Sequence, residues 1–302
     1  MLMDGVDSYL AYRRASNFEM RAQEYVLRSF ARFATGRGEK HVKTKTVIDW
    51  ASRIDSKYYR IRSFRTVLLL ARFLQTEDQR HELPPPHIFG PRGPRPIPFI
   101  FTPAEIDQIL LAASRLGPPG SSRSKTYATL FGLLAATGLR ISEALRLEFC
   151  DITPDGLFIR MSKFKKSRII PLHETTIEGL QNYLRWRIKI PTADPHVFLS
   201  TKRVALSRSC ASRAFRLIRS KIDFDPSPCG RLPRIHDLRH TFACRALETC
   251  SGNRMKVDRQ IRALSIYMGH VSIYSTYWYL ESTVPLMASI ADACETYMGG
   301  IS

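Results

Sequence analysis

The stretch that decides the fold is YATLFGLLAATGLRISEAL, residues 127–145. It begins with an apolar run of thirteen residues, Tyr127 to Leu139, with a basic residue close to each end. A helix that spans a membrane needs about twenty apolar residues, so this run predicts a helix buried in the core of a globular domain. Gly138 ends that helix with a backbone turn, and the chain restarts at Arg140.

The composition is strongly basic along the whole chain. The 302 residues include 46 Lys and Arg against 27 Asp and Glu, a formal net charge of +19, and the pI is about 10.0. The net charge is +8 in residues 1–98 and +11 in residues 99–302, which excludes a single basic tail. With 44% hydrophobic residues, the chain can form cores. Two basic globular parts favour a long polyanion as the partner, with nucleic acid ahead of an anionic membrane surface.

Targeting and redox signals point to the cell interior. The N-terminus MLMDGVDSYLAYRR has early acids and no apolar stretch before a cleavage site, so no secretory signal is expected. The six cysteines are scattered without a CxxC pair, which indicates reduced thiols and neither a zinc site nor a disulfide framework. We therefore expect a cytoplasmic protein, in a bacterial cytosol or nucleoid, with no membrane partner.

A proline-rich stretch separates two parts of the chain. Residues 83–98, LPPPHIFGPRGPRPIP, contain seven prolines and two glycines, which excludes a helix or an interior strand. We interpret it as a linker, with a surface loop inside one domain as the alternative. Helical periodicity before it predicts a small basic bundle, domain 1–82, with helices at 18–34, 46–54 and 64–74.

Residues 99–302 are expected to form a second domain, mainly helical. Thr102-Pro103-Ala104-Glu105 is a helix start with a capping box and proline at the first helical position. Apolar segments on either side of the basic turn Ser162–Ser167 predict a hairpin of 157–161 and 168–172. Helices are expected at 103–116, 122–137, 141–148 and again from 175 onward. The predicted fold class is mainly α with one small antiparallel β-sheet.

Four separated segments carry polar side chains suited to phosphate chemistry: TGLRISEAL (137–145), SKFKKSRIIPL (162–172), HDLRHTFA (236–243) and MGH (268–270) with the tyrosines after it. Glu143 is three residues from Arg140, so it can pair with and orient that guanidinium. His236 and Arg239 share a helix face for the same reason. Taken alone, three of the segments have an ordinary explanation: a surface ion pair for the first, a solvated loop for the second and aromatic packing for the fourth.

A metal site on the third segment is not expected. His236 and His240 have the four-residue spacing of a ligand pair, but no glutamate adjoins His236 and no third ligand is in evident register.

In this order on a basic helical domain, the four segments resemble the tyrosine recombinase (phage integrase) family, of the mobile-element integrase type. The resemblance covers roughly residues 100–285 and includes GH followed nine residues later by Tyr279. It implies a helical core-binding domain followed by an α-rich catalytic domain. It also implies an enzyme, a DNA strand transferase that cuts and rejoins specific sites through a 3′-phosphotyrosine intermediate. The implied partners are double-stranded DNA with recombination sites and a homo-tetramer, or mixed recombinase tetramer, on that DNA; no cofactor and no metal are implied.

The resemblance also implies individual roles. Arg140 and Arg239 would clamp the scissile phosphate, and His236 and Lys163 would move protons. His270 would hold the phosphate, and Tyr279 would attack it. A phenol has a pKa of about 10, so cations beside it are needed to favour its deprotonated form.

Three tyrosines, Tyr274, Tyr277 and Tyr279, lie within nine residues after His270, and the family spacing selects Tyr279. Tyr277 and Tyr279 lie about 200° apart around a helix, so both cannot face one phosphate. Tyr277 is the reserve choice. Leu280-Glu281 after the nucleophile departs from the commonest family pattern, a polar residue and histidine.

Further DNA contacts are predicted on the hairpin turn and on a basic helix. Residues 202–221 contain seven Lys or Arg and no acid, and an apolar stripe would turn the arginines outward. The predicted contacts are Lys165, Lys166, Arg168, Arg213, Arg216 and Arg219. Residues 283–297 predict an amphipathic helix that packs on a neighbouring protomer or on its own.

Two rival functions stay open at this point. A tyrosine-type topoisomerase shares the chemistry but acts alone on any DNA. A non-catalytic DNA-binding accessory protein of the same fold would have no use for a nucleophile.

Overall fold

The computed structural model describes residues 2–91, 97–118, 121–160, 167–224, 230–249 and 254–270, together with residues 272, 274 and 276. The chain divides into two compact units, Met1–Arg95 and Pro96–Ser302. The described residues are mainly helical with one small antiparallel sheet, which confirms the predicted fold class. Within these ranges, none of the helices has the length and apolarity that a membrane crossing requires.

The described part of the first unit is a helical bundle. Its helices are α1 (Leu2–Ala15), α2 (Arg21–Thr35), α3 (Thr44–Ser52) and α4 (Lys57–Glu77). Their apolar faces meet in one core, where Leu27, Phe30 and Phe64 are almost fully buried. Helix α1 lies outside the predicted elements, although its buried residues Leu2, Val6, Tyr9 and Leu10 have helical spacing.

The second unit alternates helices with short strands in its described residues. Its elements are α5 (Pro103–Ser114), α6 (Ser122–Thr137), α7 (Ile141–Ala144), a 3₁₀ turn (Phe149–Asp151), β1 (Ile152–Thr153), β2 (Gly156–Ile159), β3 (Arg168–Ile170), α8 (Glu174–Arg187), α9 (Arg208–Arg219), α10 (Ile235–Glu248) and α11 (Arg254–Tyr267). The predicted capping box is present at the start of α5. There the Glu105 carboxylate accepts the Thr102 N–H at 2.7 Å, and Thr102 Oγ1 accepts the Glu105 N–H at 3.2 Å.

Helix α6 forms the centre of the second core, as its sequence predicts. Leu130, Phe131 and Leu134 are at most 1% exposed. The helix ends at Gly138 in the left-handed region, with φ +60°, where an added Cβ would lie 2.5 Å from Phe242 Cδ1 on α10. The close approach of α6 and α10 therefore needs glycine at this turn.

The predicted helix 141–148 is wrong beyond Ala144. The backbone of Leu147 turns to pair with another segment, because its carbonyl accepts the N–H of Val197 at 2.7 Å. Glu148 then caps the 3₁₀ turn, donating its N–H to Asp151 Oδ2 at 3.0 Å. These contacts stop the helix after about one turn.

The predicted hairpin is present with shorter strands. Strands β2 and β3 are antiparallel, and Ile159 pairs with Arg168 next to the turn. Strand β1, outside the predicted elements, pairs with β2 on its other edge. The tip of the turn, residues 161–166, lies outside the described residues.

Candidate active site

The C-terminal end of α11 is where several predicted site residues meet. The last carbonyl groups of a helix have no partner within the helix and lie at its negative end. Among the described residues, three arginines donate to consecutive carbonyls there. The bonds are Arg168 Nε to Tyr267 O at 2.7 Å, Arg239 Nη2 to Met268 O at 2.6 Å, and Arg140 Nη2 to Gly269 O at 2.9 Å. We call Arg140, Arg168 and Arg239 the arginine cap; it joins three distant segments beside His270.

Arg140 is placed by the turn that ends α6. It is the N-cap residue of α7, two residues after Gly138. Glu143 accepts the Arg140 backbone N–H at 3.0 Å and the Arg140 Nη1 at 2.7 Å. The ion pair predicted from the three-residue spacing is confirmed, with 21% of the Arg140 side chain and 6% of the Glu143 side chain exposed.

Arg168 holds the same carboxylate from the other side. Its Nη1 and Nη2 donate to Glu143 Oε1 and Oε2 at 3.2 and 2.9 Å. Burial raises the pKa of Glu143, but the hydrogen bonds from Arg168 and the positive charge of Arg168 and Arg140 outweigh it, so the pKa is lowered overall. Glu143 is therefore a carboxylate at neutral pH.

This position of Arg168 differs from the expected DNA contact on the basic turn. Residues two apart on a strand share a face, and Arg168 shares the inner face of β3 with buried Ile170, whereas Ile169 is half exposed. Its guanidinium is consequently directed at protein acceptors, and 11% of its side chain is exposed.

Arg239 and His236 come from α10. Arg239 is buried and also donates to the carbonyl of Gly138 at 2.6 Å, so one side chain links the ends of α6 and α11. His236 lies one helical turn earlier. His236 is exposed, but desolvation by the neighbouring protein groups and then the charge of Arg239 lower the pKa of its imidazole to about 4. His236 is therefore neutral at pH 7.

The start of α10 is held by a capping interaction. Asp237 accepts the Arg234 backbone N–H at 2.7 Å. Burial raises the pKa of Asp237 despite that bond. The His236 ring stacks edge-on against His240, with centroids 4.6 Å apart.

His270 contacts both a cap arginine and a residue that the sequence analysis did not single out. Arg239 Nη2 lies 3.2 Å from His270 Nε2, and Thr276 Oγ1 lies 2.8 Å from Nδ1. Since arginine only donates, Nε2 accepts and the neutral ring carries its proton on Nδ1, facing Thr276. Thr276 is fully buried. Its only sequence signal was a hydroxyl within an aromatic segment.

Several predicted residues lie outside the described part of the chain. They are Lys163, Lys165, Lys166, Tyr277, Tyr279 and the segment 283–297. The described residues next to them are Arg160 and Ser167, on either side of the hairpin turn, and Thr276, directly before Tyr277.

Helix α9 exposes two of the three arginines that were predicted to face outward. Ala211, Ala214, Phe215 and Ile218 are buried, which confirms the apolar stripe. Arg213 and Arg216 are exposed, whereas Arg219 is half-buried and donates to the carbonyl of Pro233 at 3.0 Å.

One cluster in the first unit has the composition of a metal site. His41, Asp78 and His81 place ligand atoms within 4.8 Å of one another. Val42 donates its N–H to His81 Nδ1 at 3.0 Å, which leaves the neutral ring protonated on Nε2, and Arg80 binds both Asp78 oxygens. We interpret the cluster as hydrogen bonds that join the end of α4 to the segment before α3.

The family model of the phage integrase family matches residues 100–284, the region that contains the arginine cap and His270. The chain belongs to the phage integrase family. It is a tyrosine-type site-specific recombinase that acts on DNA.

Similar proteins span most of the chain. A protein of Sinorhizobium fredii (strain NBRC 101917 / NGR234) with the provisional name integrase/recombinase y4rB is 32% identical over 294 residues, 93% of each chain. Tyrosine recombinase XerD of Chlamydia pneumoniae is 29% identical over 218 residues, 70% of this chain and 67% of that protein. The recombinase is also similar in fold to a lambda integrase tetramer bound to a Holliday junction, with a TM-score of 0.62, 20% identity, and coverage of 90% of this chain and 77% of that one.

Proposed function

We propose that this recombinase binds the scissile phosphate of DNA beside the C-terminal end of α11. Arg140 and Arg239 are the anion ligands in this proposal, and His236 and His270 lie beside the phosphate. The observation that carries it is that Arg140 and Arg239, from separate segments, both donate to the turn that presents His270.

The electrostatics of the site favour a phosphate. Helix-end carbonyls and Glu143 hold the guanidinium planes in fixed directions before DNA arrives. Donors that are already oriented stabilise the charge that gathers on a phosphorane-like transition state without further rearrangement.

We assign the proton transfers to His236 and Lys163. His236 is unprotonated at neutral pH without DNA, so its ring is free to accept a proton, and the negative charge of a bound phosphate would raise its proton affinity toward the working pH. Lys163, on the turn next to β3, supplies the proton to the departing oxygen. His270 donates a hydrogen bond to the phosphate once its proton moves to Nε2, and the Thr276 hydroxyl can donate to Nδ1 in that tautomer.

Tyr279 is the nucleophile. Its phenol oxygen forms a bond to phosphorus while the bond between phosphorus and the 5′ oxygen breaks. The phenolic proton passes to His236, and the 5′ oxygen takes its proton from Lys163. The product is a 3′-phosphotyrosine and a free 5′-hydroxyl, which can reverse the reaction on a new partner strand without a cofactor.

A trapped adduct tests this proposal. A duplex is first selected from random sequences by its binding to the purified protein. One strand is then nicked a few nucleotides 3′ of each candidate cleavage position, so that the short 5′-hydroxyl fragment leaves and rejoining stops. We expect the strand labelled at its 5′ end to migrate with the protein under denaturing conditions, with the label mapped to Tyr279 by mass spectrometry of the peptides.

Two matched variants identify the nucleophile. Tyr279→Phe should bind the duplex and form no adduct, whereas Tyr277→Phe should form it. The reverse result would transfer the role to Tyr277. If no nicked duplex traps the unmodified protein, strand cleavage at this site is refuted. Relaxation of plasmids that lack the selected site would instead support a nick-and-swivel topoisomerase.

We infer a larger assembly for complete recombination. The lambda integrase to which this fold is similar is a tetramer on a Holliday junction, and we propose four protomers on paired DNA sites, linked through residues 283–297. Residues 1–82 act as the DNA-clamping domain, 83–98 as the linker and 99–302 as the catalytic domain. Lys165, Lys166, Arg213, Arg216 and Arg219 add DNA contacts. We also propose a bacterial mobile element as the substrate, which direct or inverted repeats flanking the gene would support.

A further inference from the structure

Arg168 contacts more of the candidate site than its place at the edge of a basic turn suggests. Its guanidinium bonds to both oxygens of Glu143 and to the carbonyl of Tyr267. These are acceptors on two separate segments, at the start of α7 and the end of α11. A planar fork can hold two such acceptors at once, which a lysine ammonium cannot do in the same geometry.

The contact to Glu143 determines the direction of Arg140. Arg168 spans both carboxylate oxygens, so the carboxylate plane cannot rotate. Arg140 then bonds to one of those oxygens through Nη1 and to the other through its backbone N–H. The orientation of the Arg140 guanidinium therefore depends on a carboxylate that Arg168 holds in place.

The turn before His270 is packed against the same side chain. Gly269 has φ +64°, and an added Cβ would lie 3.0 Å from Arg168 Nη1 and 3.4 Å from Arg140 Nη1. The backbone next to His270 thus touches both guanidiniums, and its position depends on them.

Arg168 is also the first residue of β3, paired with Ile159 at the end of the hairpin that leads into the turn. On the opposite strand end, Arg160 bonds to Asp151 and Glu148. The two arginines anchor the base of the turn that carries Lys163.

We propose that Arg168 is a positioning residue of the strand-cleavage reaction: it fixes Glu143, and through it Arg140, together with the His270 turn and the base of the lysine hairpin. It does not bind DNA. This inference rests on the proposed function of the site.

Single-turnover cleavage of the selected nicked duplex tests the inference, with DNA affinity measured separately. For Arg168→Lys and Arg168→Gln at saturating DNA, we expect the cleavage rate to fall by roughly 10- to 100-fold, because a misplacement of about 1 Å can cost about 100-fold in rate. The dissociation constant and its salt dependence should stay close to those of the unmodified protein. Arg185→Gln, which removes an exposed positive charge from α8, is the matched control and should leave the rate unchanged.

A double variant that also changes Glu143 distinguishes a positioning role of Arg168 from a general role in stabilising the fold. If Arg168 acts through Glu143, the double variant Glu143→Gln/Arg168→Gln should cleave no more slowly than the slower single variant. The double variant removes the buried charges of Glu143 and Arg168 together. Neither charge is then left without the other, so the double variant should fold and can be assayed even if a single variant fails to fold.

Three results would overturn the inference. They are an unchanged cleavage rate in Arg168→Gln, a double variant in which the rate losses of the two single variants multiply, and a loss of affinity with a shallower salt dependence at an unchanged saturated rate. The last result would make Arg168 a DNA contact. Failure of the unmodified protein to cleave would refute the proposed function itself, whereas normal cleavage with an indifferent Arg168 would refute only this inference.

Discussion

Replacement of Gly138 by alanine should destabilise the second unit and displace Arg140. The backbone at Gly138 has φ +60°, and a residue with a Cβ costs about 1–2 kcal/mol in that left-handed conformation. The new Cβ would also lie 2.5 Å from Cδ1 and 2.9 Å from Cγ of Phe242. Since relief of such overpacking costs about 1–3 kcal/mol, we expect the free energy of unfolding to fall by about 2–5 kcal/mol.

Thermal unfolding followed by circular dichroism measures this loss. For a unit of about 200 residues, each kcal/mol lowers the midpoint by about 2–4 °C, so the midpoint should fall by about 4–20 °C. Gly132→Ala is the matched control in the same helix. Its Cβ would meet Leu110 Cδ2 at 3.7 Å, an ordinary contact, and alanine favours a helix over glycine by about 1 kcal/mol. The control midpoint should therefore stay the same or rise.

The same variant tests the link from packing to catalysis. Gly138 also offers its carbonyl to Arg239 and precedes Arg140 by two residues, so the cleavage rate of Gly138→Ala should fall at a temperature where the protein is still folded. If Gly138→Ala melts together with the unmodified protein, Phe242 and the turn adjust without penalty. That result would show that this turn does not require glycine.

Three further predictions concern the site and its charge. The pKa of His236 is near 6.5 in the unfolded chain and about 4 in the folded protein. As the pH falls from about 6.5 to 4, the unfolded state therefore takes up the proton first and the folded state loses stability. Urea unfolding should show a smaller loss of unfolding free energy over that range for His236→Gln than for the unmodified protein. Thr276→Val should lower the cleavage rate by about tenfold, because one hydrogen bond that orients His270 is lost, and Thr276→Ser should restore it. DNA affinity should fall by roughly three to five decades between 50 and 200 mM salt if six to ten phosphates are contacted. Arg216→Gln should reduce that salt slope by about one, as fluorescence anisotropy titrations would show.

Much of the second unit follows from local patterns in the sequence. The capping box at Thr102, the buried face of α6 and the hairpin on either side of the basic turn each depend on neighbouring residues, and each is present. The ion pair of Arg140 with Glu143 also follows from spacing alone. Such features are predictable because the interacting groups lie within one turn of helix or one strand pair.

The features that were not predicted depend on contacts between distant segments. The helix expected at 141–148 stops early because Leu147 pairs with Val197, a partner fifty residues away that no local pattern indicates. The inward position of Arg168 is the exception, because strand alternation alone places it on the same face as the buried Ile170.

The acceptors of the arginine cap had no sequence signal at all. Three consecutive backbone carbonyls at the end of α11 bind the three guanidiniums, and every residue type supplies a carbonyl. Sequence reasoning can identify the cations of such a site, but the backbone groups that orient them become visible only in the folded chain.

Under the proposed function, the arginine cap connects DNA binding to the stability of the second unit. Arg140 and Arg168 share the carboxylate of Glu143, and the carbonyls at the end of α11 contribute only partial negative charge. A scissile phosphate bound there would add an anion beside guanidiniums of like charge in the folded state, and the unfolded chain would have no comparable site. We therefore expect a selected DNA duplex to raise the unfolding midpoint of the second unit by mass action.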